Sequence, residues 1–283
     1  MGSPVRAAAA ATAALALCAA LTPARACAAQ LPATAEALAQ AMRGRPLVLL
    51  GEVHDNAAQH ALRLAALKLL IAGGARPALA FEQFDREHQQ AIDAARRERP
   101  RDADFVITRG KGAPSWRWEL YRPFVEFALD HDLPIVAANL SRGEAMKLAL
   151  TGAPSGLPEL PAAFVRVHEK AIAKGHCDLL PADALPGMAN AQIARDRVLA
   201  ESIRPYAARG VVLLTGNGHA RVDVGVPFWL TPEERARAVS IGLVERDEDG
   251  GVGESASHFD AFVVTIRADR PDPCEELRQR YRK

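Results

Sequence analysis

Gly51-Glu52-Val53-His54 and Gly216-Asn217-Gly218-His219 each place an imidazole three residues after a glycine, directly behind a short apolar run. Glu82 and Asn139 follow two further apolar runs, Ala78-Leu79-Ala80-Phe81 and Pro134-Ile135-Val136-Ala137-Ala138. Two carboxylates and two imidazoles brought together can hold a divalent metal or perform general acid–base catalysis. Glu52, His54, Glu82 and His219 are therefore the candidate metal ligands and the candidate catalytic groups. Taken singly, each has a plainer reading. A histidine after a strand is usually a hydrogen-bonded structural residue, and Glu52 suits the N–H groups of a helix start. Four polar strand ends in one crevice favour a site, because buried carboxylates and imidazoles are unfavourable unless they pair with each other or with a ligand. Gly51, Gly216 and Gly218 allow close backbone approach there, and His60 is a further ligand or supporting candidate.

The elements that must position these groups alternate between strand and helix. Apolar runs at 46–50, 78–81, 134–138, 210–215, 238–244 and 261–266 read as strands, the first buried on both faces. Asp55 and Asn56 offer cap oxygens to a helix whose apolar row is Ala58, Leu62, Ala65, Ala66 and Leu69, stopped at Gly73-Gly74. Further helices are predicted from about Arg86 to Arg97, Trp118 to Asp130 and Met188 to Tyr206, with residues 98–116 a surface loop. Glycines and prolines break the chain between 152 and 161, and an acidic glycine loop spans 247–254. This alternation predicts an α/β fold, a mainly parallel sheet flanked by helices on both faces, with a helical insertion around residues 140–190. Ligands of such sheets sit beyond the carboxyl ends of the strands.

The first residues have a separate logic. Arg6, an Ala/Leu-rich run from Ala7 to Leu21 and small-residue sites at Ala24-Arg25-Ala26 and Ala26-Cys27-Ala28 read as a secretory signal peptide over 1–28, leaving one domain over 29–283. Neither Cys18 nor Cys27 sits in a good lipid-attachment context, so a periplasmic or otherwise exported protein is expected rather than an anchored one. The 35 Lys and Arg against 34 Asp and Glu give +1; losing Arg6 and Arg25 leaves 33 against 34, or −1. That balance argues against nucleic acid as a partner. Cys177 and Cys274 are a disulfide candidate in an exported chain, with two free buried thiols as the alternative.

Other groups are weaker signals. Gln192, Arg195 and Asp196 interrupt the apolar row of the Met188 helix, either as part of a site or as an Arg195–Asp196 pair stitching helix to sheet. Trp116, Trp118, Tyr121, Phe124 and Phe127 face a flat apolar ligand or simply pack. Arg221 and Asp223 shape the loop after His219. His176 beside Cys177 suggests a metal pair, but a bridged cysteine cannot ligate. No Walker loop, dinucleotide fingerprint, nucleophile elbow or HExxH is present.

The series GEVHDN at 51–56, AFEQFDREHQ at 80–89, Trp118 with Tyr121-Arg122-Pro123, AANLSR at 137–142, GHCDLLP at 175–181, AQIARD at 191–196 and GNGHARVDVGVP at 216–227 resembles the ChaN-like haem-binding proteins. Their superfamily includes the Tiki and TraB proteins and, more distantly, the erythromycin esterases. The resemblance implies an exported protein of haem or iron uptake, haem held at a homodimer interface, and an outer-membrane uptake receptor as partner. It implies tyrosine ligation of haem iron, and of Tyr121, Tyr206 and Tyr281 only Tyr121 lies in a matching motif. With Trp118, Asn139, Arg195, Asp196 and Arg221 it forms the candidate cofactor-binding set. Tiki-like relatives are described as metal-dependent peptidases, and their glutamates and histidines map onto Glu52, His54, Glu82 and His219. Three functions follow: a haem-binding module, a metal-dependent hydrolase, or a structural protein with an inert cleft.

Overall fold

The computed structural model describes residues 28–151, 157–246, 251–252 and 254–281. The signal-peptide expectation therefore lies outside the described residues except for Ala28, and most of the 247–254 loop lies outside them too. The described chain runs β1 (Ala29–Leu31), α1 (Ala35–Met42), β2 (Leu47–Leu50), α2 (Ala57–Ala72), β3 (Ala78–Asp85), α3 (Gln89–Glu98), α4 (Ala103–Arg109), α5 (Trp118–Asp130) and β4 (Ile135–Asn139). It continues through α6 (Arg142–Thr151), α7 (Ala162–Gly175), α8 (Leu185–Ile203), β5 (Val211–Leu214), α9 (Asn217–Ala220), α10 (Pro232–Arg237), β6 (Ala238–Glu245), β7 (Ala261–Thr265) and α11 (Pro273–Tyr281).

All seven strands are parallel, in the order β1-β7-β6-β2-β5-β3-β4. Side chains alternate across the sheet with the two-residue strand period. Val48 and Leu50 enter a core built with α1 to α5, whereas Leu47 and Leu49 face α8 on the other side. Both faces are covered, which is why the strands read as unbroken apolar runs. The helices α6 and α7, the predicted insertion, pack on the outer side of α8. Close approach of α6 to α8 depends on Gly187, where a Cβ would lie 2.0 Å from the Ala149 carbonyl oxygen.

Register sets the site. Leu50 pairs with Leu214, and Leu214 with Phe81, so the chain leaves β2, β5 and the apolar part of β3 at one level. The next residues, Gly51, Thr215 and Glu82, emerge side by side. The contiguous strands β2-β5-β3-β4 thus deliver Glu52, Asn217, Glu82 and Asn139 in spatial order to one edge.

The structure departs from the sequence expectation in several elements. β3 runs on through Glu82 to Asp85, so Glu82 is inside a strand rather than behind one. The segment 98–116 contains α4, capped by Asp102, whose carboxylate accepts from Phe105 N at 2.9 Å, with Ala103, Val106 and Ile107 buried. Seven residues are too few to show a helical period. β1 is a three-residue edge strand beside β7, too short and too exposed to carry a pattern. On α2 the buried stripe is Gln59, His60, Arg63, Ala66, Leu67, Leu70 and Ile71, turned away from the expected row; Ala58 is exposed. Polar residues occupy the first two turns of that inner stripe, which hid it. Among the described residues no helix is long and apolar enough to cross a membrane.

Cys177, just past α7, is bonded to Cys274 in α11, 97 positions away. Closing a loop of that length stabilises a fold by about 4 kcal/mol in the chain-entropy model. Reduction, or Cys177→Ser with Cys274→Ser, is expected to lower the melting temperature by roughly 10 °C, read by calorimetry with and without a phosphine reductant. An unchanged melting temperature would show the bond to be energetically idle.

Candidate functional site

Glu52 leaves β2 into a place with no water access, and its carboxylate is saturated by side chains. Oε1 accepts from Tyr121 Oη at 2.5 Å and from His54 Nδ1 at 3.0 Å. Oε2 is ion-paired with Arg63 and lies 3.3 Å from His60 Nε2. Arg63 is fully buried, donates its other terminal nitrogen to Leu50 O at 3.1 Å and lies over the Phe124 ring. Burial pulls the Arg63 pKa down to about 10, so the guanidinium stays charged. Burial likewise pushes the Tyr121 hydroxyl well above the usual phenol range. His60, also buried, is lowered to about 4 and is neutral.

The backbone behind Glu52 is pinned from three sides. Gln59 Oε1 accepts from Val53 N at 2.6 Å, Asn217 N donates to Glu52 O at 2.9 Å, and Asn56 caps α2 through Gln59 N at 3.1 Å. Gly51 has no room for a side chain, since a Cβ would meet Asn217 Oδ1 at 2.4 Å. His54 stands outward, its side chain 46% exposed, edge-on to Trp116 and against Gly216. A Cβ on Gly216 would sit 2.7 Å from His54 Cε1. With Nδ1 donating to Glu52, the ring presents Nε2 without a partner among the described residues.

A second cluster lies across Gly216. Glu82 Oε2 accepts from Thr215 Oγ1 at 2.6 Å and Gly216 N at 2.8 Å, and its Oε1 faces His219 Nε2 at 3.5 Å. His219 Nδ1 meets Asp196 Oδ1, from α8, at 2.7 Å. Burial alone would neutralise His219, but the two carboxylates outweigh it and raise its pKa to about 9. Glu82 is lowered to about 2, where burial is overcome by His219, His54 and the donors from Thr215 and Gly216. Burial pushes Asp196 up to about 6, against the pull of His219. At neutral pH the group is therefore an imidazolium clasped by two carboxylates.

The remaining expected residues fall outside these clusters. Asn139 bridges β4 to β3 by donating to Glu82 O at 2.7 Å and accepts from Arg195 Nη1 at 2.7 Å, with Leu140 O as the second acceptor of that nitrogen. Arg195 and Asp196 thus serve different partners instead of pairing. Arg221 is held by Asp223 at 2.6 and 3.0 Å. Trp118 donates to Ala113 O, packs on Phe84 and fills the space over Gly112, and Phe124 and Phe127 are buried, so that aromatic row is largely packing. Tyr121 is 1% exposed and reaches haem iron only if its bond to Glu52 breaks. Sequence reasoning missed Arg63, Thr215 and His168. Arg63 lies one helical turn past His60 on the same face, which was a readable signal.

The four expected metal ligands do not form one set within coordinating distance of each other. They form two, and Glu52 is already neutralised by Arg63. Among the described residues the one group with ligand spacing is Asp85, Glu87 and His88, which is partly exposed. Exposed acids often sit together without an ion.

These titrations set a stability profile. His60 and His168, both lowered to about 4, stabilise the fold above pH 6.5 and lose that contribution as the pH falls toward 4. Asp196 offsets part of this between its ordinary value and about 6. His219 stabilises below pH 6.5, and that contribution is lost as the pH rises through about 9. Thermal melts from pH 4 to 9.5 are expected to peak near pH 6.5, and His219→Gln should flatten the alkaline limb. Stability rising from pH 6.5 to 9 in the wild type contradicts this charge assignment.

Comparison with known proteins adds the family. The model of the family described as haem-binding uptake, Tiki superfamily, ChaN, matches residues 38–230. No curated protein matches the sequence. Among solved structures, one described as cofacial heme binding to ChaN of Campylobacter jejuni superposes with a TM-score of 0.68 at 20% identity, covering 83% of this chain and 92% of that one. The type III effector HopBA1 gives 0.46 at 14% identity, covering 83% and 94%. An erythromycin esterase, EreC, in its open conformation gives 0.45 at 13%, covering 75% and 72%.

Proposed function

This chain belongs to the ChaN family of haem-binding uptake proteins in the Tiki superfamily, and we propose that it binds haem as an exported component of iron uptake. The family match over residues 38–230 carries the reading. The disulfide Cys177–Cys274 supports export, since such bonds persist in oxidising compartments. An outer-membrane receptor and a second copy of the chain are the partners this role calls for.

The residues present fit a haem. Haem proteins combine an apolar cavity, a nitrogen, oxygen or sulfur donor to iron, and cations for the propionates. Here His54 and His176 each have a ring nitrogen free, with the other tied to a carboxylate or a carbonyl. Apolar pockets lie along α6, α7 and α8, with arginines at their edges. Titrating purified protein with hemin is expected to give a saturable Soret shift at one haem per chain. A free-hemin spectrum throughout the titration would sink the reading.

A second reading, a metal-dependent hydrolase, is favoured by one observation: two imidazoles, each held by a carboxylate, border Gly216. His219 is held as an acid by Glu82 and Asp196, and His54 is oriented by Glu52 with Nε2 free. A held imidazolium beside a ring with an open nitrogen is a set that can move a proton or take a metal ion. Elemental analysis of tag-free protein tests it: near-stoichiometric Mn, Zn, Co or Fe, lost in His54→Ala and His219→Ala, is its expected result. Metal-free protein that gains none on dialysis against these ions removes it.

A further inference from the structure

The arginines at the amino edge of the sheet take no part in the clusters around Glu52 and Glu82. In sheet order β6, β2, β5 and β3 are neighbours, and their first residues, Ala238, Leu47, Val211 and Ala78, stand in register. Each of these strands is entered from an arginine. Arg237 directly precedes β6, and Arg45, Arg209 and Arg76 lie two residues before β2, β5 and β3. Neighbouring strands lie about 5 Å apart, so the four side chains are rooted in one row, at the opposite end of the strands from Glu52 and Glu82.

The row borders a pocket of about 280 Å³, lined by all four arginines and by no carboxylate. Its apolar floor includes Val48 and Leu70, both buried. Gly44, in the left-handed region at φ 69°, turns the chain into β2 at the entrance, and a Cβ there would meet nothing within 4 Å, so the entrance is open. All four arginines are exposed. Arg76 Nη1 donates to Ile71 O at 3.0 Å and Ala75 O at 2.7 Å, and Arg209 Nε donates to Arg76 O at 3.3 Å. Carbonyls thus orient two guanidiniums without neutralising them. Arg45 and Arg237 have no partner among the described residues.

Elsewhere arginines are matched to acids, as Arg122 is to Asp104 and Arg204 to Glu234. Here four like charges stand together with none, a concentration of positive potential that the near-neutral balance of the whole chain conceals. A guanidinium offers parallel N–H groups that fit the oxygens of a phosphate. One phosphate carries about two negative charges, so four guanidiniums call for at least two phosphates. The pocket stands at the lower end of the size of ligand sites, which suits a small headgroup and not a polymer. We propose that it binds a ligand bearing two or more phosphate groups, held along the row Arg237, Arg45, Arg209 and Arg76 with its uncharged part on Val48 and Leu70. That chemistry is shared by polyphosphorylated solutes and by lipid headgroups with two phosphates. The site does not depend on haem binding.

Two titrations of the full chain test it, one with inorganic tripolyphosphate by calorimetry and one with vesicles of phosphatidylcholine and cardiolipin by flotation. Binding is expected in at least one arm, weakened by salt and reduced on the order of tenfold or more by Arg45→Glu with Arg237→Glu. Both side chains are exposed and unpartnered, so the melting temperature of the ligand-free protein should hold. Arg45→Gln with Arg237→Gln, which removes charge and keeps bulk, decides the matter should the reversal unfold the chain. The same charge change at Lys147 and Lys170, exposed on α6 and α7 away from the pocket, is expected to leave binding intact. Tripolyphosphate binding that is lost in the arginine variants assigns the site to a soluble phosphate compound; vesicle binding alone, lost in the same variants, assigns it to a lipid headgroup. No binding in either arm, binding that the arginine variants leave unchanged, or equal losses in the arginine and lysine variants overturns the site.

Discussion

A carboxylate set where water does not reach must find its partners among neighbouring side chains, and Glu52 finds three. Arg63, Tyr121 and His54 come from α2, α5 and the β2–α2 turn and bind that one carboxylate, while His60, 3.3 Å away, holds the His54 carbonyl. A buried ion pair of this kind contributes little net stability compared with apolar packing, but losing one member strands the other. The geometry around it is therefore strict. α2 must present its polar inner stripe at one level above β2, α5 must bring its tyrosine hydroxyl over that end, and the turn between must be tight enough to need Gly51.

The parallel sheet converts that constraint into a surface. Because β2, β5 and β3 end in register, Glu52 and Glu82 come out on either side of the Thr215–Asn217 turn. The Gly216 backbone is the partition between them, feeding an N–H to Glu82 on one side and accepting the His54 ring on the other. Two acids so close and so buried would repel if each lacked a cation. Arg63 neutralises one and the His219 imidazolium the other. The arrangement leaves one histidine bound up as an acid and one presenting a free nitrogen.

Much of this was legible in the sequence, and the limits have physical causes. Six of the seven strands announced themselves because a sheet covered on both faces needs unbroken apolar runs. The strand ends announced themselves because glycine, glutamate and histidine directly behind such runs have no bland packing role. α5 was legible from its aromatic spacing and ends at Asp130 as expected. By contrast, the inner face of α2 was misread: Gln59, His60 and Arg63 look solvent-facing until one knows that a buried acid awaits them. α4 and β1 were missed because their stability comes from a cap and from an edge pairing. The Glu82–His219–Asp196 set was half visible, with Asp196 marked as a polar intrusion on an apolar row but its partner unknown. Spacing along the chain cannot say which of two nearby acids a histidine will face.

The bond between Cys177 and Cys274 encloses all of α8, then β5, β6 and β7. Any single backbone cut between those cysteines leaves both pieces covalently joined. β5 and β6 flank β2, the strand that carries Glu52, so the pieces would also remain interleaved in one sheet. A chain nicked in this half would migrate intact on a gel without reductant and separate into two bands with it. Loops on this side of the molecule are thus free to be long or cleavable without putting the assembly of the sheet at risk.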